Sequence, residues 1–405
     1  MALAPGLAVS AEDGATAPGS GDRALGELVQ AARAAGRFAL DTEFMGEGRY
    51  RTLLCLVQLA TPQDEAMAER IELLDPLAAE VDPAPLAELL ADPEVRVVVH
   101  AGRQDVALVR RRFGGDVSNV FDTQVAAGFA GLGAQSSYES LLSELLGVRI
   151  AKSASFTRWD TRPLTAEQRA YAREDVVHLL ELAAELERRL SALGRLEWAR
   201  EECEALESAS DERDPEAIFE RLPRVRGLSA SARPVARELV RWREAEAERQ
   251  NRPVQSVLSD PALMEIARRK PASRAELERI RGAGGAGVRR RAQELLAAVE
   301  LGRSRPPEPP PDGSRGPVTR PEDAPLVALA ESLVRAHSLD AGIAYELIAS
   351  RSELQTIVAS RRTGAGEADV RVLRGWRREL VGEELLRLLE GRVSLSIADG
   401  QLRIA

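Results

Sequence analysis

Four acidic residues in the first half of the chain have the type and spacing to hold metal ions: Asp41, Glu43, Asp105 and Asp175. Asp41 and Glu43 lie two residues apart in the run FALDTEF, and residues two apart on a strand point to the same face. Two carboxylates on one face repel each other and destabilise the fold unless a cation lies between them. A single D-x-E pair is more often part of a solvated loop, so the interpretation depends on the whole set.

A donor set of carboxylate oxygens favours the hard cations Mg²⁺ and Mn²⁺ over zinc. Two such ions, roughly 3.5–4 Å apart, can cleave a phosphodiester by activating water and stabilising the leaving oxygen. Tyr171 precedes Asp175 in the helical run AYAREDVVHLL, and at a spacing of four residues both lie on one helical face. The tyrosine could then orient the attacking water or help to deprotonate it. These residues would suit two-metal cleavage of a phosphodiester.

The elements that must position these residues follow from hydrophobic periodicity. Strands are predicted over residues 37–44, 51–61, 70–76, 95–101 and 119–122, and helices over 23–35, 84–91, 104–114, 123–131, 137–146 and 165–190. The acidic pair ends the first strand, Asp105 follows a buried strand, and Asp175 lies within the last of these helices. Beyond about residue 215 the pattern is helical until a closing hairpin with Asp399-Gly400 at its turn. This order predicts a mixed α/β domain followed by helical modules.

Composition excludes several classes of protein. The two cysteines, Cys55 and Cys203, are far apart and form no Cys-x-x-Cys motif, which argues against a disulfide framework and a thiolate zinc site. No apolar run has the length of a membrane span, and the N-terminus lacks the features of a signal peptide. We therefore expect a cytoplasmic protein with no membrane association and with a disordered tail over residues 1–21.

The charge of the chain is unevenly distributed. The net charge is −9, yet residues 221–303 contain 19 Lys and Arg against 10 Asp and Glu, a net of +9 that leaves −18 elsewhere. A basic module attached to an acidic body indicates electrostatic binding of nucleic acid by that module.

Five motifs occur in order: FALDTEF, VVVHAGRQDVALV, FDTQVAAGF, KSASFTRWDTRPL and QRAYAREDVVHLLEL. Over roughly residues 22–205 they resemble ribonuclease D, a member of the DEDD exonuclease superfamily with the tyrosine variant of its third motif. The resemblance implies that Asp41, Glu43, Asp105 and Asp175 are metal ligands and that Tyr171 positions the nucleophilic water. It also implies 3′→5′ removal of nucleotides as 5′-monophosphates from the 3′ trailers of tRNA precursors. Many relatives have a small residue followed by an acid where this chain has Arg103-Gln104, but the difference leaves the ligand Asp105 in place.

The helical part resembles modules of the same family. Residues 221–300 are similar to the HRDC domain of RecQ-type helicases and ribonuclease D, and the end of the chain looks like a second, divergent copy. The predicted fold class is an α/β ribonuclease H-like exonuclease domain followed by two all-α HRDC-type helical bundles. The predicted boundaries are 22–205 for the exonuclease domain, 215–302 for the HRDC domain, 303–321 for a Pro-rich linker and 322–405 for the second HRDC-like domain.

Further residues are candidates for substrate contacts, each with a structural alternative. Phe44 and Met45 could wedge against the terminal base or simply pack. His100 could face the cleft or be satisfied by backbone, Trp159 could stack on a base or anchor its loop, and Arg162, with Lys152 and Arg158, could hold phosphates. The resemblance places Asp122 near the cleft as structural support or a substrate contact, and a role as an additional ligand is less favoured. The candidate phosphate contacts of the basic module are Arg268, Arg269, Lys270, Arg289, Arg290 and Arg291.

Two other functions remain open at this point. The same carboxylates serve DNA 3′→5′ exonucleases, and a preference for a terminal ribose would separate the two substrates because only RNA has the 2′-OH. A non-catalytic RNA-binding scaffold is disfavoured because all four carboxylates and the tyrosine are present. The expected partner is RNA, no protein partner is deducible, and a monomer is expected.

Overall fold

The computed structural model describes residues 20–63, 68–78, 82–150, 158–283, 285–309 and 320–405. Three of the sequence predictions fall wholly or largely outside these residues. They are the N-terminal tail, the KSASF part of the fourth motif with Lys152, and most of the Pro-rich linker.

The first module is built on a mixed five-stranded sheet. Its strands are β1 Arg37–Met45, β2 Leu53–Gln63, β3 Ala68–Leu74, β4 Arg96–Val99 and β5 Val120–Asp122. They are arranged in the order β3-β2-β1-β4-β5, with β1 parallel to β4 and antiparallel to β2. All five predicted strands are present, and β1, which carries the acidic pair, lies at the centre of the sheet.

Helices cover both faces of this sheet. They are α1 Ser20–Ala35, α2 Ala84–Leu90, α3 Arg103–Phe113, α4 Thr123–Phe129, α5 Tyr138–Leu141, α6 Ala166–Glu174, α7 Leu179–Ala192 and α8 Leu196–Glu207. Because side chains alternate along a strand, Phe38 and Leu40 of β1 pack with α1, α2 and α3, whereas Ala39 packs with α4 and α7. The acidic pair, in phase with Ala39, therefore belongs to the α6–α7 face.

One predicted helix is wrong in its extent. The segment 165–190 is broken into α6 and α7, and residues 175–178 form a turn between them. Thr165 and Gln168 form a capping box that starts α6, and Asp175 is its last, C-capping residue. The Asp175 amide still reaches the Tyr171 carbonyl at 3.3 Å. Tyr171 and Asp175 therefore remain one turn apart, although α6 ends here and α7 is a separate helix.

The middle module has a hydrophobic core of its own. Its helices are α9 Pro215–Arg221, α10 Arg233–Gln250, α11 Val254–Val257, α12 Asp260–Arg269, α13 Arg274–Glu278, α14 Ala286–Arg290 and α15 Ala292–Ser304. The core extends from Phe219 to Val299 without residues of the first module. Its contacts with the first module include two polar ones: the Tyr50 amide donates to Asn251 Oδ1 at 3.2 Å, and Arg51 lies 3.0 Å from Glu248.

The C-terminal module instead shares a hydrophobic core with the first one. It comprises α16 Ala324–Ala341, α17 Tyr345–Ile348, α18 Arg351–Thr363, α19 Gly375–Arg377, α20 Glu383–Leu389 and the hairpin β6 Leu395–Ala398 with β7 Gln401–Ile404. Trp376 packs edge-on against Phe129, with ring centroids 4.8 Å apart, and stacks on Trp198 at 5.7 Å. The hairpin was predicted, whereas the Pro-rich linker gave no indication that this module would pack on the first.

No helix in the described part of the chain has the length and apolarity needed to cross a membrane.

Candidate active site

The four predicted carboxylates come from three different elements of the first module. Asp41 and Glu43 lie on β1, Asp105 lies in the first turn of α3, and Asp175 ends α6. The α6–α7 segment covers one face of the sheet and α3 covers the other, so the set is assembled from both layers. Asp105, Asp175 and Glu43 all raise the pKa of Asp41, so the structure brings the four carboxylates together.

The turn before α3 is built to place Asp105. Asp122 accepts hydrogen bonds from the amides of Ala101 and Gly102, at 3.0 and 2.9 Å, and from that of Gln124 at 2.8 Å. Ala101 has a φ of 52°, and a Cβ at Gly102 would overlap the side chain of Val99. Because the buried Asp122 carboxylate is occupied by backbone amides, it supports the turn, as predicted, and is not free to act as a ligand.

Burial and mutual repulsion raise the pKa values of the carboxylates. The pKa of Asp41 is raised well above its ordinary value by burial and then by Asp105, Asp175 and Glu43. Burial, with Asp175 and Asp105, raises the pKa of Glu43 to about 8. Burial raises the pKa of Asp105 to about 6 and that of Asp175 to about 7.

None of the four forms an ion pair with an arginine or lysine of the described residues. Burying several carboxylates together without a counter-charge is costly. Bound cations would remove that cost, and the all-oxygen donor set suits hard divalent ions. The residues present therefore fit a divalent metal centre.

The four carboxylates are not arranged as a complete set of metal ligands. Within the described residues, no three His, Cys, Asp or Glu side chains are arranged so that they could already hold an ion. One Asp105 oxygen instead accepts a hydrogen bond from the Thr42 hydroxyl, and both of these residues are buried. We interpret the site as a shared acidic pocket whose side chains must reorient to coordinate. Sequence reasoning missed Thr42, although its place between Asp41 and Glu43 was a signal that it lies beside the site.

Tyr171 lies beside this pocket on α6. Its pKa is raised by burial and then by Asp175, Glu43 and Asp41, so its phenol stays protonated at neutral pH. A protonated phenol can donate a hydrogen bond but cannot accept a proton as a base. The structure therefore favours the orienting role over deprotonation.

Two predicted substrate contacts are contradicted. Trp159 is only 5% exposed and packs in a cluster with Cys55, Leu56 and Ala172, so it has no free face on which a base could stack. Arg162 pairs with Asp75, with one contact at 2.7 Å, and also donates to the Cys55 carbonyl at 2.6 Å. Both side chains anchor the loop that precedes α6, which is the structural alternative given above for Trp159.

The other candidates near the pocket remain predictions. Phe44 is 39% exposed directly after Glu43, and Met45 is partly buried against the Trp159 cluster. His100 makes a 2.9 Å hydrogen bond between Nδ1 and the Thr123 hydroxyl, and burial lowers its pKa. The Thr123 hydroxyl also lies 3.1 Å from the Val99 carbonyl, which can accept a hydrogen bond from it.

The basic residues of the middle module divide into engaged and available groups. Arg291 is largely buried and pairs with Glu246 at 2.5 Å, which contradicts its predicted phosphate contact. Arg269 lies 2.6 Å from Glu265, and Lys270 donates to the Ser231 hydroxyl at 2.6 Å. Arg289 and Arg290 are exposed, and Arg268 is 3.9 Å from Glu265.

A groove on this module contains two arginines that the sequence did not single out. It has a volume of about 1000 Å³ and is lined by Arg224, Arg268, Arg269 and Arg281 together with Asp260 and Glu265. Asp260 is paired with Arg243 at 2.5 Å, and Glu265 is paired as above. Arg224 and Arg281 are exposed and have no acidic partner among the described residues. The groove therefore carries uncompensated positive charge.

Comparison with known proteins agrees with this arrangement. Residues 20–191 match the model of a 3′-5′ exonuclease family, and residues 232–299 match the HRDC domain. The chain is 39% identical to ribonuclease D of Granulibacter bethesdensis, with 90% of each chain covered, and 40% identical to that of Gluconacetobacter diazotrophicus, with 89% of each covered. The crystal structure of Escherichia coli RNase D, described as an exoribonuclease involved in structured RNA processing, is similar with a TM-score of 0.77 and 30% identity. That similarity covers 91% of this chain and 97% of the other.

Proposed function

The chain belongs to the ribonuclease D family and is a 3′–5′ exoribonuclease, and from that premise we propose how its residues carry out the reaction. Asp41, Glu43, Asp105 and Asp175 would hold two divalent cations, Mg²⁺ or Mn²⁺. The observation that carries this assignment is the uncompensated group of buried carboxylates that raise one another's pKa values.

The reaction is hydrolysis of the 3′-terminal phosphodiester. Water forms a new bond to phosphorus, the bond from phosphorus to the upstream 3′ oxygen breaks, and that oxygen takes up a proton. The products are a nucleoside 5′-monophosphate and an RNA shortened by one nucleotide with a free 3′-OH. When bound, the cations lower the pKa of the attacking water and stabilise charge on the departing oxygen.

Side chains of this protein position the carboxylates and donate a hydrogen bond to the attacking water. The Thr42 hydroxyl, on the face of β1 that packs against α3, donates to the Asp105 carboxyl. The Asp122 carboxylate accepts hydrogen bonds from the Ala101 and Gly102 amides and so fixes the turn before α3. The protonated Tyr171 phenol beside Asp175 orients the water by hydrogen bonding. Phe44, which is 39% exposed next to Glu43, would contact the terminal base.

The substrate we propose is the 3′ trailer of tRNA precursors, in line with the family. The HRDC module would hold the body of the RNA, with its phosphates in the arginine-lined groove. A second HRDC-type role for the C-terminal module is part of the same proposal. That module shares a core with the catalytic domain, so any RNA bound there would lie at a fixed distance from the carboxylates.

A time course on a 5′-labelled tRNA precursor with a short 3′ extension tests the proposal. We expect stepwise shortening by single nucleotides with Mg²⁺ or Mn²⁺, none with EDTA, and none with Asp105→Ala. A precursor ending in a 2′-deoxynucleotide, run in parallel, tests selection of RNA over DNA. Retained RNA binding without shortening would contradict the catalytic assignment, and equal shortening by Asp105→Ala would remove that residue from the site.

A further inference from the structure

Gln58 is a buried polar side chain that the described structure leaves unsatisfied. It lies on β2, it is 0% exposed, and neither its Oε1 nor its Nε2 has a hydrogen-bond partner among the described residues. Buried amides are nearly always paired, and an exception calls for a missing partner. We therefore asked which group lies opposite this amide.

The strand register places Gln58 directly across from Asp41 in the antiparallel pairing of β1 and β2. Residues directly opposite on such a pair point to the same face, with Cβ atoms about 4.5–5.5 Å apart. The neighbours of Gln58 on that face confirm the direction. Leu56 packs with Ala172 of the catalytic helix, and Ala60 belongs to the core that contains Val176. Gln58 thus lies under the α6–α7 junction that carries Asp175.

The Asp41 carboxylate lacks a side-chain hydrogen-bond donor among the described residues. It accepts a hydrogen bond from the backbone amide of Thr42. Asp105, by comparison, has the Thr42 hydroxyl as a donor. A carboxylate that coordinates a metal is normally held by a further hydrogen bond, which fixes the direction of its oxygens. A neutral amide suits this purpose, because a lysine or arginine would compete with the cation for the same charge.

We propose that Gln58 is a positioning residue for Asp41, and that its Nε2 donates a hydrogen bond to the Asp41 carboxylate when that carboxylate coordinates a cation. The inference rests on the metal site of the proposed function. It accounts for a polar side chain at a fully buried position of β2 whose amide atoms have no partner among the described residues.

The test is calorimetric titration of the full chain with Mn²⁺ alone, combined with thermal unfolding of the metal-free protein. Gln58→Met keeps the length of the side chain but cannot donate, and we expect Mn²⁺ affinity to fall about 10–100-fold. The melting temperature of the metal-free protein should stay the same or rise, because an unpaired buried amide is lost. Gln58→Leu is the second apolar variant, in case methionine packs poorly.

Thr61 provides a matched control on the same strand. It is also fully buried with an unpartnered hydroxyl, but it lies three residues on and points to the opposite face of the sheet. Thr61→Val should leave Mn²⁺ affinity unchanged.

An affinity for Gln58→Met within twofold of the unaltered protein would overturn the inference. So would a loss of affinity in both apolar variants that accompanies a lowered melting temperature, since packing would then explain it. If the unaltered protein itself bound no Mn²⁺, the metal assignment of the proposed function would fail first, and this inference with it.

Discussion

The guanidinium of Arg213 lies over the ring of Tyr50, 5.2 Å from its centroid, and joins two modules that have separate cores. Arg213 precedes the first helix of the HRDC module and also pairs with the buried Glu244 at 2.7 Å. Tyr50 belongs to the loop that connects β1, which carries Asp41 and Glu43, to β2. The HRDC module is therefore docked onto the hairpin that supplies two of the four carboxylates.

Removing this contact should weaken the handling of structured RNA. Tyr50→Ala removes the cation–π contact with Arg213 and the hydrogen bond between the Tyr50 phenol and Glu244, together worth about 1–2 kcal/mol. We therefore expect it to raise KM for a tRNA precursor about tenfold. The KM for a short single-stranded RNA, which does not need the HRDC module, should change little. Tyr50→Phe, which retains the ring, should have an intermediate effect. An equal rise for both substrates would indicate damage to the hairpin itself.

Metal-free protein should become more stable when one crowded carboxylate is neutralised. Folding raises the pKa of Glu43 from 4.5 to about 8, so between these values the folded state retains a proton that the unfolded state has lost. Stability therefore falls as pH rises through this window. Glu43→Gln should melt higher than the unaltered protein at pH 8.5, by roughly 2–4 °C for each kcal/mol of repulsion removed, and the difference should shrink toward pH 5.

Saturating Mg²⁺ should reverse this order, because only the unaltered protein would gain full stabilisation from binding. Thermal melts with and without Mg²⁺ at both pH values measure the effect. A Glu43→Gln protein that is less stable than the parent at pH 8.5 without metal would contradict the repulsion described here.

The arginine groove should contribute to RNA binding through phosphates. Arg224 and Arg281 line it and have no acidic partner in the part of the chain that the structure describes. Arg224→Ala and Arg281→Ala should therefore each lower the salt dependence of RNA affinity by about one counterion. Binding isotherms at several salt concentrations give this slope. Arg291→Ala is the contrasting change, because it breaks a buried pair with Glu246 and should lower the melting temperature of the module. An unchanged slope in both groove variants would remove the groove from the RNA path.

Sequence reasoning predicted the five strands, the carboxylate set and the closing hairpin because each has a local signal. The run FALDTEF marks β1, and Asp399-Gly400 marks the last turn, where both residues have positive φ. It failed where the answer depends on tertiary contacts. Trp159 and Arg162 have side chains equally suited to binding RNA and to anchoring a loop, and only the fold shows that Cys55 and Asp75 lie beside them.

The break between α6 and α7 illustrates a second limit. Apolar periodicity continues through residues 175–178, so the sequence predicts one helix, yet the chain turns there to place Asp175 beside β1. The packing of the C-terminal module was unpredictable for a similar reason. Trp376 packs against Phe129 and Trp198, which precede it by 247 and 178 residues, and no local pattern encodes contacts over such separations.

Substitution of Tyr171 should separate the chemical step from metal binding. Its raised pKa keeps the phenol protonated, so it should orient water without serving as a base or a ligand. We expect Tyr171→Phe to lower kcat by about 10²-fold or more while leaving Mn²⁺ affinity unchanged. Asp175→Asn should instead lower both, because it removes a ligand. Single-turnover rates and Mn²⁺ titrations on the two variants distinguish these effects. A base must be deprotonated to act, so if Tyr171 were the base, kcat would keep rising with pH toward the raised pKa of its phenol, and Tyr171→Phe would remove that rise. Under the orienting role, the profiles of the two proteins should have the same shape over the pH range in which the phenol stays protonated, with only the height reduced in Tyr171→Phe.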